Sequence, residues 1–238
     1  MNDLTRGAQL AWKIAAAEAA GSRRPMIDKP QLLLGLLSLG KALSAATDLE
    51  GAERRELEDE RALVEGVFAR LSLQAVVVRR AVRQRVGVGA ARHAPGATIS
   101  RTQACKVAFE RAAEMAGDAP AACLHLLAAL FERPDPHLDL LLRDAGVRPD
   151  DVAHEARLRV LLRALARDVR ARLGVEVVFD PRAEALLSDR GRGDGALERV
   201  VRQFVGEPLA QLETSGKLAR VPRWRVAEDQ GGLYVIPA

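Results

Sequence analysis

Residues 5–19, TRGAQLAWKIAAAEA, return at 102–116 as TQACKVAFERAAEMA. At this offset of 97 residues, Thr5, Ala8, Leu10, Ala11, Trp12, Ala15, Ala16 and Ala19 meet Thr102, Cys105, Val107, Ala108, Phe109, Ala112, Ala113 and Ala116. Small and bulky positions coincide, the pattern of two copies of one amphipathic helix. Each copy continues into a second apolar helix, Gln31 to Leu37 in one and His125 to Phe131 in the other. A third block pairs Val67 to Leu73 with Leu141 to Val147. The repeats therefore occupy about residues 4–86 and 99–152, and they predict an all-α, pseudo-twofold domain over residues 1–150.

Local signals mark the ends of these helices. Thr5 and Thr102 stand where an N-cap belongs, and Gly21 is the expected stop of the first helix. Asp28 with Gln31 three residues on makes a capping box, and Pro30 is tolerated in that first turn. Between Lys41 and Glu65 lies a stretch absent from the second repeat, rich in acid (Asp48, Glu50, Glu53, Glu56, Glu58, Asp59, Glu60). It predicts an exposed loop passing into a charged helix with Glu and Arg at helical spacing. Gly87, Gly89, Pro95 and Gly96 read as a flexible linker between the repeats.

A second boundary is expected near Pro149 to His154. Beyond it the pattern gives a long helix to about Leu173, a β-rich run Val175 to Phe179, and Asp180-Pro181 as cap and first helical residue. Two helices follow, roughly 182–189 and 196–212. The end reads as a hairpin: Trp224 to Val226, a Gly231-Gly232 turn, and Leu233 to Ile236. Residues 155–238 thus predict a small α+β domain, and the whole chain is mainly α.

The composition fits an ordinary globular protein: 238 residues, 48% apolar and 29% charged. With only five Phe, two Trp and one Tyr, the core must be built from Leu, Val and Ala, which favours helix. The longest apolar run, Leu32 to Leu39, is too short to span a bilayer, so no membrane partner is expected. Two cysteines make no disulfide framework, and a cytoplasmic location is the expectation. Basic residues exceed acidic ones only 36 to 32, with the signs interspersed. The densest basic group is Arg79, Arg80, Arg83 and Arg85, which reads as a solvated helix face; nucleic acid is not an expected partner.

The double repeat resembles the twin-repeat N-terminal domain of Clp/Hsp100 protein unfoldases. The tail resembles the small C-terminal subdomain of the same family, on the strand Val175 to Phe179, the helix Ala183 to Leu187, and Leu197 to Val201 leading to Glu207-Pro208-Leu209-Ala210. The ATPase modules that would lie between them are missing. One string approaches a nucleotide loop, Gly35-Leu36-Leu37-Ser38-Leu39-Gly40-Lys41-Ala42. Ala42 stands where a magnesium-holding Ser or Thr is needed, no strand precedes the string, and its interior is leucine-rich. The resemblance also implies a nucleotide-sensing arginine in the tail; here Gly195 takes its place, or it is deleted after Ala196. No cofactor is expected.

Other catalytic patterns do not emerge. His93, His125, His137 and His154 share no close metal spacing, Cys105 and Cys123 form no CxxC pair, and the serines sit in no nucleophile elbow. His125 falls where the family also has histidine, which implies a structural hydrogen bond. In some family members a glutamate before that position binds phosphorylated arginine; the equivalents here are Pro30 and Leu124, so that recognition is not carried over. An apolar groove between the repeats would still accept an amphipathic helix or an unfolded segment.

These readings point to a non-enzymatic protein-binding accessory factor of a Clp/Hsp100 system, meeting a protein client or adaptor and docking on an unfoldase ring. The other reading is a structural component of a specialised assembly such as a secretion apparatus. Homo-oligomerisation is left open. The resemblance implies that the residue matching Thr5 lies beside a client-binding surface, with Thr102 at the equivalent place in the second repeat.

Overall fold

The computed structural model describes residues 4–46, 50–94, 96–133, 135–144, 146–192 and 196–238. The chain divides into two compact units, residues 1–156 and 157–238. The first unit is helical. It contains α1 (Arg6–Gly21), α2 (Lys29–Leu37), α3 (Leu39–Ala45), α4 (Gly51–Arg70), α5 (Ala75–Val86), α6 (Gln103–Ala116), α7 (Cys123–Phe131) and α8 (Pro136–Asp144). Pro149–Leu173 forms α9, so residues 149–154 are the opening turns of a helix and the division after Ala156 falls inside it.

The repeat persists down to single turns. Ala8, Ala11, Ala15 and Ala19 of α1 are buried, as are Cys105, Ala108, Ala112 and Ala116 of α6. Small residues at this spacing let a second helix approach closely. Against α1 that approach is closed by Gly35 of α2, where a Cβ would stand 2.1 Å from the Ala11 carbonyl oxygen. The third blocks end alike too. Leu73 N–H returns to Phe68 O at 2.9 Å and Val147 N–H to Leu142 O at 2.8 Å, over left-handed Ser72 (φ 58°) and Gly146 (φ 75°). Both are Schellman closures that satisfy the last helical carbonyls.

The copies are joined by two isolated parallel bridges, Leu4 with Ala121 and Ile27 with Arg101. Thr5 N–H, ahead of α1, donates to the Ala121 carbonyl ahead of α7 at 3.1 Å. Thr102 N–H, ahead of α6, donates to Ile27 O ahead of α2 at 2.9 Å, and Ile27 N–H to Ser100 O at 2.8 Å. Trp12 and its counterpart Phe109 meet edge to face at 5.3 Å, and the Arg101 guanidinium lies over both rings, at 5.4 and 4.8 Å.

Four local expectations are corrected. The left-handed residue ending α1 is Arg23 (φ 53°), not Gly21; Arg24 N–H closes onto Ala19 O and Arg23 N–H onto Ala20 O. The acidic stretch opens on a helix rather than a loop, and the charged helix it leads to, with Arg54 and Glu58, and Arg61 and Glu65, paired four residues apart as expected, carries one buried acid. Residues 39–45 are α3, and α4 buries Leu57 and Glu60, because the Glu60 carboxylate meets backbone donors inside the domain. Asp48 lies outside the described residues. The linker is not free along its length: Gly89 N–H donates to Ser22 O at 2.8 Å, Ala91 N–H to Arg23 O at 3.0 Å, and the His93 ring Nε2 lies 2.7 Å from Arg24 O. Pro95 lies outside the described residues. In the hairpin the turn residues are Gln230 (φ 48°) and Gly231 (φ 76°), with Gly232 already in the strand.

The second unit packs the later turns of α9 with β1 (Glu176–Phe179), α10 (Pro181–Arg190), α11 (Ala196–Val201), α12 (Glu207–Thr214), β2 (Arg223–Asp229) and β3 (Gly232–Pro237). Strand β1 pairs parallel with β2, and β2 antiparallel with β3. Between α11 and α12 the helix widens into a π-turn over Arg202–Gly206. Pro208 accounts for it: without an N–H it cannot bond the carbonyl four residues back, and its ring crowds that position. The core gathers Leu158, Leu162, Val177, Leu187, Val201 and Val205 around Trp224, whose ring N–H donates to Leu218 O at 3.0 Å. The architecture is mainly α with a small α+β unit.

Candidate protein-binding groove

The segment before α2 carries the chemistry of the site. Asp28 caps α2, accepting from Lys29 N–H at 2.9 Å, while Gln31 Oε1 accepts from Asp28 N–H at 3.1 Å. Across the repeat boundary the Thr102 hydroxyl donates to Asp28 Oδ1 at 2.7 Å and accepts from Cys105 N–H at 3.2 Å, capping α6. The Asp28 carboxylate is thereby held by donors of its own fold, Lys29 N–H and the Thr102 hydroxyl. Lys29 turns the other way, donating to Arg133 O at 2.7 Å. Burial draws its ammonium below the usual lysine range, against the pull of Asp135, Asp28 and Asp139.

Beside this knot opens a cavity of about 280 Å³. Its apolar wall is Pro30 with Val82 and Val86 of α5 and Leu138 and Leu141 of α8; its rim is Arg24, Pro25, Met26, Arg85 and His137. Met26 is 39% exposed, although a methionine side chain at such a position could fold inward. The Arg24 guanidinium donates to Val86 O, tying the rim to the end of α5, and its Nε has no acceptor among the described residues. Arg85 is exposed and in no ion pair among them. The groove thus offers an apolar trough of side-chain size beside a free guanidinium, with the nearest carboxylate already spent.

Of the two threonines singled out, Thr102 lines this groove. Thr5 caps α1 by accepting from Ala8 N–H at 3.3 Å and is not among the groove residues. The two caps therefore differ in what surrounds them. Thr5→Asp should leave stability within about 0.5 kcal/mol of the wild type, since Asp caps as well as Thr. Thr102→Asp should cost about 2 kcal/mol, because it replaces a donor to Asp28 by a second carboxylate. Urea unfolding of the two variants checks this; equal losses would contradict it.

The remaining candidates resolve into structure. Burial pushes the Cys105 thiol up to about 12, and burial with the adjacent Glu60 pushes the Cys123 thiol up, so both stay protonated at neutral pH. His125 Nδ1 accepts from Ala122 N–H at 3.0 Å at the start of α7. Among the described residues no group of three His, Cys, Asp or Glu is placed to hold a metal. Gly35 to Leu37 lie inside α2 and Leu39 to Ala42 inside α3, so the amides of the Gly-Lys string are helical rather than a phosphate cradle. Gly195 lies outside the described residues. The arginines of α5 do not act together: Arg79 is half-buried, Arg83 pairs with Glu18, and Arg85 faces the groove.

Sequence reading missed the groove residues Arg24, Met26, Val82, Leu138 and Leu141, which come from three separate segments. It also missed Glu60. That carboxylate, from α4, accepts from Gly7 N–H at 3.2 Å and Cys123 N–H at 2.8 Å, capping the starts of α1 and α7 together. Gly7 leaves it the space: a Cβ there would lie 2.6 Å from the carboxylate.

No protein-family model matches the chain, and no curated protein matches it. Among solved structures it is similar to N-terminal domains of Clp/Hsp100 chaperones. One is the Hsp104 N-terminal domain from Candida albicans, with 16% identity over 65% of this chain and 89% of that one and a TM-score of 0.46. Another is the N-terminal domain of the caseinolytic protease associated chaperone ClpD from Arabidopsis thaliana, with 22% identity over 66% and 96% and a TM-score of 0.43. Among the described residues no helix is long and apolar enough to cross a membrane.

Proposed function

We propose that the chain is a non-enzymatic, cytoplasmic accessory factor of a Clp/Hsp100 unfoldase or protease system. Its first unit holds a segment of a client or adaptor in the groove beside α2, and residues 155–238 serve as a small-subdomain-like module that docks on an unfoldase ring. The observation that carries the first part is the groove's chemistry: an apolar trough flanked by Arg85, which is in no described ion pair, and by Asp28, whose charge is occupied. Such a site favours a segment presenting an apolar side chain next to an acid. Thr102 contacts that segment at the lip. Thr5, at the equivalent place in the other repeat, is a second contact.

The test is capture by the full chain from the native cytosol, with the double variant Met26→Asp/Arg85→Glu in parallel. Both residues are exposed, so the variant keeps its fold. Recovery of a Clp unfoldase, its protease or a defined client by the wild type, reduced at least about tenfold in the variant, is the expected result. Equal recovery by both proteins would remove the groove from the function.

A further inference from the structure

In the second unit β3 is an outer strand, paired with β2 on one side only. The Ala238 amide donates to Arg223 O at 3.0 Å, so Arg225, Ala227 and Asp229 also bond toward β3, opposite Ile236, Tyr234 and Gly232. By the alternation of an antiparallel ladder, Leu233, Val235 and Pro237 turn their backbone groups outward. No hydrogen bond to those groups is made among the described residues. Outer strands ordinarily carry charge, proline, a bulge or a cover against pairing, and of these β3 has, among the described residues, a proline alone, Pro237 at its last position. The side chains of residues 232–238, GLYVIPA, carry no charge. Leu233 and Val235 pack on the unit's core, while Tyr234 and Ile236 face away from it, 52% and 43% exposed.

We infer that β3 pairs antiparallel with β3 of a second copy of this chain, joining two three-stranded sheets into one of six. The register is set by the outward groups. Centring the pair on Val235 lets both Val235 residues exchange N–H···O bonds, and lets each Leu233 N–H reach the other copy's Pro237 carbonyl. Pro237, which has no N–H, then costs a bond only at the strand's end. Tyr234 of each copy falls opposite Ile236 of the other, in the closely spaced non-hydrogen-bonded position where apolar cross-strand pairs interact best. The uncharged side chains of the edge select a second copy: two such rows meet without side-chain repulsion, and a twofold axis presents the same row to both. An edge this short falls below the roughly 1,200 Å² of a standard interface, so the dimer belongs to the weak, concentration-dependent class.

The register gives a specific test on the full chain. Tyr234→Cys and Ile236→Cys are prepared separately and oxidised at about 200 μM, alone and mixed. Cys105 and Cys123 are buried and stay out of the reaction. The mixture should form disulfide-linked dimers, and neither variant alone should, because position 234 faces 236 and not itself. By sedimentation velocity the wild type should dimerise with rising concentration, Ile236→Lys should remain monomeric, and Met26→Asp should dimerise as the wild type does. A wild type monomeric throughout, cross-linking as strong within a single variant as in the mixture, or an Ile236→Lys chain that still dimerises would each overturn the pairing. These outcomes are independent of whether the groove binds a client.

Discussion

Glu60→Ala is expected to destabilise the first unit by about 3–5 kcal/mol. The side chain is only 7% exposed, and its two oxygens accept from Gly7 and Cys123 N–H at the starts of two helices. Hydrogen bonds to an ionised carboxylate are the stronger kind, and helix N-termini favour negative charge further. Removing it leaves two buried amides without an acceptor and a void against Gly7. Glu60→Gln, of the same shape, should fall between, since one arm becomes a donor facing a donor. Denaturant unfolding measures both, with Glu56→Ala, exposed on the same helix, as a control expected within about 0.5 kcal/mol of the wild type. A loss below about 1 kcal/mol for Glu60→Ala would mean the carboxylate is not the joint between the repeats.

Gly35→Ala should also be severe, at about 3 kcal/mol or more. Alanine at a helix interior ordinarily gains about 1 kcal/mol over glycine. Here its Cβ would sit 2.1 Å from the Ala11 carbonyl oxygen and 3.2 Å from the Ala15 Cβ, so α1 and α2 must part. The neighbouring atom is backbone, which cannot swing aside. The same glycine heads the string that imitates a nucleotide loop, so stability and binding separate the two explanations. Calorimetric titration of the wild type with ATP should show no saturable heat, and ATP should not alter the unfolding midpoint. Saturable micromolar ATP binding lost in Gly35→Ala would contradict the packing role.

The double repeat was legible because close helix packing demands small residues at fixed spacing, and Ala8, Ala11, Ala15 and Ala19 recur as Cys105, Ala108, Ala112 and Ala116. The α+β tail was legible for a similar reason, its β-branched runs and Gly pair standing out against an Ala-rich helical background. Glu60 was not. In a run of mixed Glu and Arg a buried carboxylate has the same sequence signature as exposed ones such as Glu53 and Glu56, and only the donors it meets set it apart. Arg23 escaped for the converse reason, since a glycine two residues earlier offered the more usual stop. The groove is assembled from a loop, α5 and α8, and its apolar members follow the helical periodicity that any core-facing residue follows. Nothing local distinguishes Val82 lining a cavity from Val78 buried beside it.

Occupation of the groove beside α2 by a protein segment is tested most directly by a site-specific photocross-linker. A benzophenone side chain is placed at Met26 on the rim in one full-length protein, and at Lys13, exposed on α1 and not among the groove residues, in another. Irradiation in the native cytosol should attach one defined partner at position 26 and not at position 13, and Arg85→Glu should abolish the adduct. Equal labelling from both positions, or an adduct at 26 indifferent to Arg85→Glu, would contradict the account.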